Sequence, residues 1–247
     1  MKKWFWPAVL GVLALLTAGW LLSERVTTDG EVTPGADTYR DIASFGHDSP
    51  SWVHRLAEVG TEAGILVFLA LFVAAFWLAR KSDDKAMTLA LFAPVAMAVT
   101  YLFSELLKGW VREDRPCRTV PDVRTIAACP EPGDWSFPSN HAVIVAASLA
   151  ALFLVWRTAA LLAVPIALLT AYSRVFLGVH FLHDVVAGFL LGVVIAPVVL
   201  VLLVRVGEPL VGRLRRIERL RPALVASTGN QKSLTMTGSR DGHSEHS

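Results

Sequence analysis

The sequence predicts an all-α protein: a six-span transmembrane helical bundle with its N- and C-termini cytoplasmic. Hydrophobic residues make up 54% of the 247 positions, and the mean hydropathy is +0.51. They are gathered into blocks with few or no charges, of the length that a bilayer core of about 30 Å demands of a helix. The blocks are continuously apolar and do not alternate, so helices rather than barrel strands satisfy their backbone groups in lipid.

The blocks cover residues 4–22, 63–79, 86–107, 142–156, 158–171 and 185–204. The first follows Lys2 and Lys3 as a signal peptide would. Its apolar run is too long for an ordinary signal core, and no small-x-small cleavage site follows, so it is read as an uncleaved span. The fourth and fifth blocks are short and meet at Arg157. One continuous span there would hold Arg157 near mid-membrane, at a cost of about 2.5–3.5 kcal/mol, and would keep Pro165 inside a helix. A hairpin turning at Arg157 is expected instead.

Orientation follows the Lys/Arg distribution. With the N-terminus inside, the interior segments carry Arg80, Lys81, Lys85, Arg157 and the arginines of 205–221, while residues 24–48 outside are mainly acidic. The loop holding Lys108, Arg112, Arg115, Arg118 and Arg124 breaks this trend on the exterior side. A basic cluster that resists the sorting rule points to function. The expected organisation is a first span plus exterior loop over 1–61, a catalytic core of five transmembrane helices over 62–205, and a basic then disordered cytoplasmic tail over 206–247. The tail is rich in Ser, Thr and Gly and cannot bury a core. His243 and His246 within it read as solvated. Residues 213–221 read as a juxtamembrane segment on anionic headgroups or as a plain positive-inside anchor. Residues 27–51 carry no assignable pattern. Residues 50–59 are expected to form a short interfacial helix led by Trp52.

The net charge of +2 says little about partners of a membrane protein. Two cysteines, Cys117 and Cys129, share one exterior loop, where an oxidising compartment permits a disulfide. Two free thiols are the alternative. Without a nearby histidine they make a poor zinc site.

Nearly all the unusual polar residues lie in three stretches, each at the end of an apolar block: KGWVREDRP (108–116), WSFPSNHA (135–142) and SRVFLGVHFLHD (173–184). The hairpin gathers all of them on the exterior face. Lys108, Arg115 and Arg174 bring cations, of which arginine forks onto phosphate and lysine supplies a point charge. Ser139 is the expected N-cap of the fourth span, whose N-terminus suits an anion. His141 and His180 can serve as nucleophile and general acid. Asp184, four residues beyond His180, can fix its tautomer. His183 is a rival partner or an interfacial histidine. Taken singly, each residue has a bland reading: Arg174 snorkels, Glu105 pairs with Lys108, Asp184 caps the sixth span. Their convergence favours a reaction centre. Arg174 and His180, six residues apart, would diverge on one straight helix, so if both face one phosphate a break is expected near Gly178.

These stretches resemble the tripartite signature of the type 2 phosphatidic acid phosphatase superfamily, whose pattern is K-x6-R-P, P-S-G-H and S-R-x5-H-x3-D. Here it reads Lys108…Arg115-Pro116, Pro138-Ser139-Asn140-His141 and Ser173-Arg174…His180…Asp184. The resemblance covers roughly residues 60–205 and departs from the pattern at Asn140, where glycine is usual. It implies a membrane enzyme that hydrolyses lipid phosphate or diphosphate esters, with no cofactor and no metal. By that resemblance His180 attacks phosphorus to form a phosphohistidine, Asp184 orients it, and His141 protonates the leaving oxygen and then activates water. Lys108, Arg115, Ser139, Asn140 and Arg174 hold the phosphoryl oxygens, the Asn140 side chain adding an amide donor. The implied partners are a membrane lipid phosphate such as undecaprenyl pyrophosphate or phosphatidate, and the bilayer, with no nucleic acid. The implied setting is the cell membrane, with the site on the extracytoplasmic side. The alternatives are a vanadate-dependent haloperoxidase-like enzyme, against which the apolar spans argue, and a non-catalytic lipid-binding or transport protein.

Overall fold

The computed structural model describes residues 35–226. The expected first span at 4–22 and the tail histidines His243 and His246 lie outside them. The described residues are all-α. In chain order the helices are α1 (Ala36–His47), α2 (Ser51–Ala79), α3 (Asp84–Val111), α4 (Pro116–Thr119), α5 (Asn140–Val155), α6 (Arg157–Phe176), α7 (Leu182–Leu214) and α8 (Arg221–Leu224). Four of them, α2, α3, α6 and α7, are long and apolar enough to cross a membrane, and α5 is a shorter apolar helix. The chain is therefore a multi-pass membrane protein.

Helix α5 is the centre of the bundle, packed against α7, α3, α6 and α2. Lipid tails are as apolar as leucine, so close van der Waals fit rather than the hydrophobic effect holds such helices together. Small residues make the fit. Ala142, Ala146, Ala147 and Ala151 of α5 are fully buried. On α7, a Cβ at Gly188 would stand 2.6 Å from the Ser139 carbonyl oxygen, and one at Gly192 would stand 2.7 Å from the Val143 carbonyl oxygen. This contact brings the N-terminal ends of α5 and α7 side by side.

The hairpin expected at Arg157 is present: α5 ends at Val155, Trp156 leaves helical geometry at φ −146 and ψ 83, and α6 begins at Arg157. Arg157 lies over the Phe153 ring at 4.9 Å. Pro165 sits inside α6 nonetheless, so its position did not discriminate between hairpin and single span. The 16 residues of α5 cover only about 24 Å at 1.5 Å per residue.

Two sequence expectations need correction. Residues 50–59 do not form a separate helix: they are the first turns of α2, which runs unbroken from Ser51 to Ala79. The stretch read as patternless contains α1, whose residues Ala36, Tyr39, Ala43 and Gly46 are buried at helical spacing. Tyr39 is fully buried, burial pushes its hydroxyl up to about 12, and that hydroxyl donates to the Gly178 carbonyl at 2.9 Å.

At the opposite end of the bundle, Arg215 donates to Asp84 and to the Ser82 carbonyl, each at 2.8 Å. Asp83 caps α3 by accepting from the Ala86 amide at 2.8 Å. The arginine-bearing end of α7 is thus clamped to the α2–α3 turn.

Candidate active site

Each motif stretch sits where a helix ends or begins. Helix α3 places Lys108 in its last turn and stops at Arg112, which adopts left-handed geometry at φ 54. Arg115 then precedes Pro116, the first residue of α4. The loop that follows is closed by a disulfide between Cys117 and Cys129. Its Ala127 amide donates to the Leu177 carbonyl at 3.1 Å, which packs the loop on the turn before α7.

That turn contains the expected break. Helix α6 ends at Phe176 with Arg174 in its last turn, Gly178 has φ +83, and α7 starts at Leu182. A Cβ at Gly178 would stand 2.6 Å from the Thr125 side chain, so both conformation and space call for glycine. His180 lies in the turn itself, just outside α7. Asp184 reaches it from the first turn of α7: its Oδ2 accepts from the Phe181 amide at 2.8 Å and lies 3.2 Å from His180 Nδ1. Asp184 is therefore not the N-cap of α7, a position held by Phe181, but from the third helical position it accepts from the Phe181 amide and also partners His180.

The tautomer of His180 follows from its neighbours. Arg115 Nη1 lies 2.8 Å from His180 Nε2, and a guanidinium can only donate. Nε2 therefore offers its lone pair, and the ring proton is on Nδ1, facing Asp184. Burial pushes the His180 imidazole down to about 4, outweighing the attraction of Asp184, with the Arg115 and Arg174 charges adding to the depression. The ring is neutral near pH 7.

Arg115 is a hub. Its Nη1 also donates to the Val179 carbonyl, its Nε to the Asp134 carbonyl and its Nη2 to Asp134 Oδ1, each at 2.9 Å. Lys108 donates to the Trp135 carbonyl at 2.8 Å and lies 3.7 Å from Asp134 Oδ1. Burial raises the Asp134 carboxyl, but Arg115 and Lys108 outweigh it and hold the group below its ordinary value. The Lys108–Glu105 pair considered from sequence is not formed. Glu105 instead accepts from Asn140 Nδ2 at 2.5 Å, while Ser104 donates to Asn140 Oδ1 at 3.1 Å. Both ends of the Asn140 amide are thus engaged by α3, which corrects the expectation of a free amide donor.

Ser139 stands at the N-cap position of α5 but makes no side-chain cap. Its Oγ is buried without a hydrogen-bond partner, as is Arg174 Nε. His141, in the first turn of α5, lies within electrostatic reach of Arg174 and Lys108, and its Nε2 is 3.1 Å from Glu62 Oε1 on α2. Arg174 in turn feels the charges of Arg115, Glu62 and Asp134. All the sequence-selected residues thus belong to one connected cluster.

Five members of that cluster were not selected from sequence: Glu62, Ser104, Glu113, Asp134 and Ser136. Ser136 is fully buried, donates to Asp184 Oδ2 and lies 3.3 Å from His180 Nδ1. Ser136, Asp134 and Glu113 lie within or beside the motif stretches, which was the available signal. Glu62 carried none. His183 does not compete for His180. Its Nε2 lies 2.8 Å from Glu113 Oε1 and 3.2 Å from Asp184 Oδ1, and its ring stacks on Phe181 at 5.0 Å. Glu113, His183 and Asp184 have ligand-type atoms within 4.8 Å of one another. The short His183–Glu113 contact is a hydrogen bond and Asp184 Oδ2 serves Ser136 and Phe181, while Asp184 Oδ1 and Glu113 Oε2 are buried without a hydrogen-bond partner.

The model of the PAP2 superfamily matches residues 89–208. A bacitracin transport permease protein of Bacillus licheniformis is 30% identical over 163 residues, covering 65% of this chain and 76% of the relative. An undecaprenyl-diphosphatase of Sulfolobus acidocaldarius is 31% identical over 146 residues, covering 55% of this chain and 68% of the relative.

The chain belongs to the PAP2 superfamily.

It is a hydrolase of that superfamily's membrane lipid phosphatase class. The crystal structure of a transmembrane PAP2-type phosphatidylglycerolphosphate phosphatase from Bacillus subtilis shares the PAP2 fold, with a TM-score of 0.53. It is 22% identical, and the match covers 83% of this chain and 98% of that one.

Proposed function

We propose that the protein hydrolyses an isoprenyl diphosphate, or a related lipid phosphate ester, at the extracytoplasmic face of the cell membrane. The observation that carries this is the state of His180: neutral, with its Nε2 lone pair held by Arg115 and its Nδ1 proton directed at Asp184. A nucleophile for phosphorus needs that lone pair, and a carboxylate behind the ring stabilises the cationic phosphohistidine that forms.

In the first step His180 Nε2 bonds to phosphorus and the bond from phosphorus to the leaving oxygen breaks, with His141 giving that oxygen a proton. In the second step water loses a proton to His141 and its oxygen bonds to phosphorus. The P–N bond breaks, inorganic phosphate leaves, and both histidines return to their starting states. Lys108, Arg115 and Arg174 balance the charge on the phosphoryl oxygens. Ser139 Oγ and Arg174 Nε are buried donors without a protein partner, available to those oxygens. Asn140 contributes through its backbone, at the N-terminus of α5. Residues 62–205 act as the catalytic core. Helices α2 and α7 run past these bounds, to Ser51 and Leu214.

The exterior location rests on the Lys/Arg distribution, and the isoprenyl preference on the likeness to an undecaprenyl-diphosphatase. Release of inorganic phosphate by purified protein in EDTA tests this reading. Wild type should release phosphate from undecaprenyl pyrophosphate faster than from phosphatidate, and His180→Ala from neither. Equal inertness of the two proteins on both lipids would contradict it.

A further inference from the structure

The cluster contains a second histidine–carboxylate pair, and its carboxylate comes from outside the motif stretches. Glu62 lies on α2, beyond the 89–208 region that matches the family. Its Oε1 stands 3.1 Å from His141 Nε2, and its side chain is 68% exposed while that of His141 is 21% exposed. Arg174 is the other charge that Glu62 reaches.

We infer that Glu62 is the positioning residue of the general acid: it holds the His141 ring by Nε2 and favours its charged form. The inference rests on the reading of His141 as the group that protonates the leaving oxygen. The geometry explains why that group needs help. Burial acts on His141 first, and the Arg174 and Lys108 charges act with it. All of these oppose a second proton on the ring, yet an acid must carry that proton when the leaving group departs. A carboxylate on Nε2 counters them in part, and fixes the ring so that Nδ1 is the nitrogen left to exchange a proton. The site then holds two such pairs with opposite tasks. Asp184 serves a buried ring that starts neutral, and Glu62 serves a partly exposed ring that must start charged. The exposure of Glu62 matters as well, because a solvated carboxylate can follow His141 as it charges and discharges during one turnover.

A positioning role through His141 has a signature that a structural role lacks. Acid assistance matters when the leaving oxygen is strongly basic, as in an alkyl phosphate, and little when it is a stable phenolate. The experiment compares kcat/KM, which reports the step up to phosphoryl transfer, on a short-chain phosphatidate and on p-nitrophenyl phosphate. The proteins are wild type, Glu62→Gln, His141→Ala and the double variant. Glu62→Gln should lose about 10-fold or more on the phosphatidate and under about threefold on the aryl ester. The double variant should be no slower than His141→Ala alone, since the two residues act as a unit. Equal losses of Glu62→Gln on the two substrates would overturn the inference and place its action on Arg174 or on packing. Additive losses in the double variant would overturn it too. If His141→Ala itself loses equally on both substrates, the general-acid reading fails first, and the inference falls with it.

Discussion

Arg115 Nη1 sits 2.8 Å from Nε2 of His180, both side chains being buried. Because the guanidinium cannot accept a hydrogen bond, this contact fixes the lone pair of His180 on Nε2 and its proton on Nδ1. In the proposed mechanism an incoming phosphoryl group would recruit Arg115 and free that lone pair.

The depressed proton affinity of His180 predicts a pH effect on stability. Its folded-state value is about 4, against an ordinary histidine near 6.5 in the unfolded chain. Between these values the unfolded chain binds more protons, so stability falls as pH drops from about 6.5 to about 4. The full effect is on the order of 3 kcal/mol. Thermal unfolding in detergent at pH 7 and pH 4.5 should show a loss for wild type that is smaller in His180→Gln. Equal losses in the two proteins would contradict it.

Ser136 predicts a loss of activity from a residue outside the signature. Its hydroxyl donates to Asp184 Oδ2 beside His180 Nδ1. A hydrogen bond to a charged group is worth about 1.5–3 kcal/mol, so Ser136→Ala should lower kcat by about 10-fold or more while leaving KM nearly unchanged.

Asp134 and Ser139 predict effects of opposite sign on vanadate, a mimic of pentacoordinate phosphorus. Asp134 occupies two of the three cations that the proposed mechanism assigns to phosphate, Lys108 and Arg115, and its side chain is 49% exposed. A pair this exposed is worth up to about 1 kcal/mol, so Asp134→Asn should tighten vanadate inhibition by about threefold to fivefold. Ser139→Ala removes a buried donor and should weaken inhibition by about threefold to tenfold. Inhibition constants of the two variants measured side by side check both signs.

Much of this was legible in the sequence because the bilayer demands it. Five of the six apolar blocks became α2, α3, α5, α6 and α7, the block at 4–22 lying outside the described residues, and the charged ends of those five gather in the candidate site. The break at Gly178 followed from the spacing of Arg174 and His180 together with the expectation that both face one phosphate. What was not legible depends on contacts between distant segments. Nothing local marks Glu62 as a neighbour of His141, seventy-nine residues away. Asn140 looked like a phosphate donor until α3 placed Ser104 and Glu105 against it. The α1 helix was hidden by its small buried residues, whose value lies in close fit to the turn at Gly178 rather than in hydropathy. Ser136 sat inside a quoted motif, yet only the fold brings it to Asp184.

Trapping the phosphoenzyme tests the central claim most directly. Protein mixed with lipid phosphate carrying radiolabelled phosphorus and quenched in alkali should retain label in a bond that is stable to base and labile to acid. The label should map to His180, be absent from His180→Ala, and accumulate in His141→Ala, which lacks the base for the second step. Turnover by wild type with no retained label in either wild type or His141→Ala, or label retained by His180→Ala, would contradict the account.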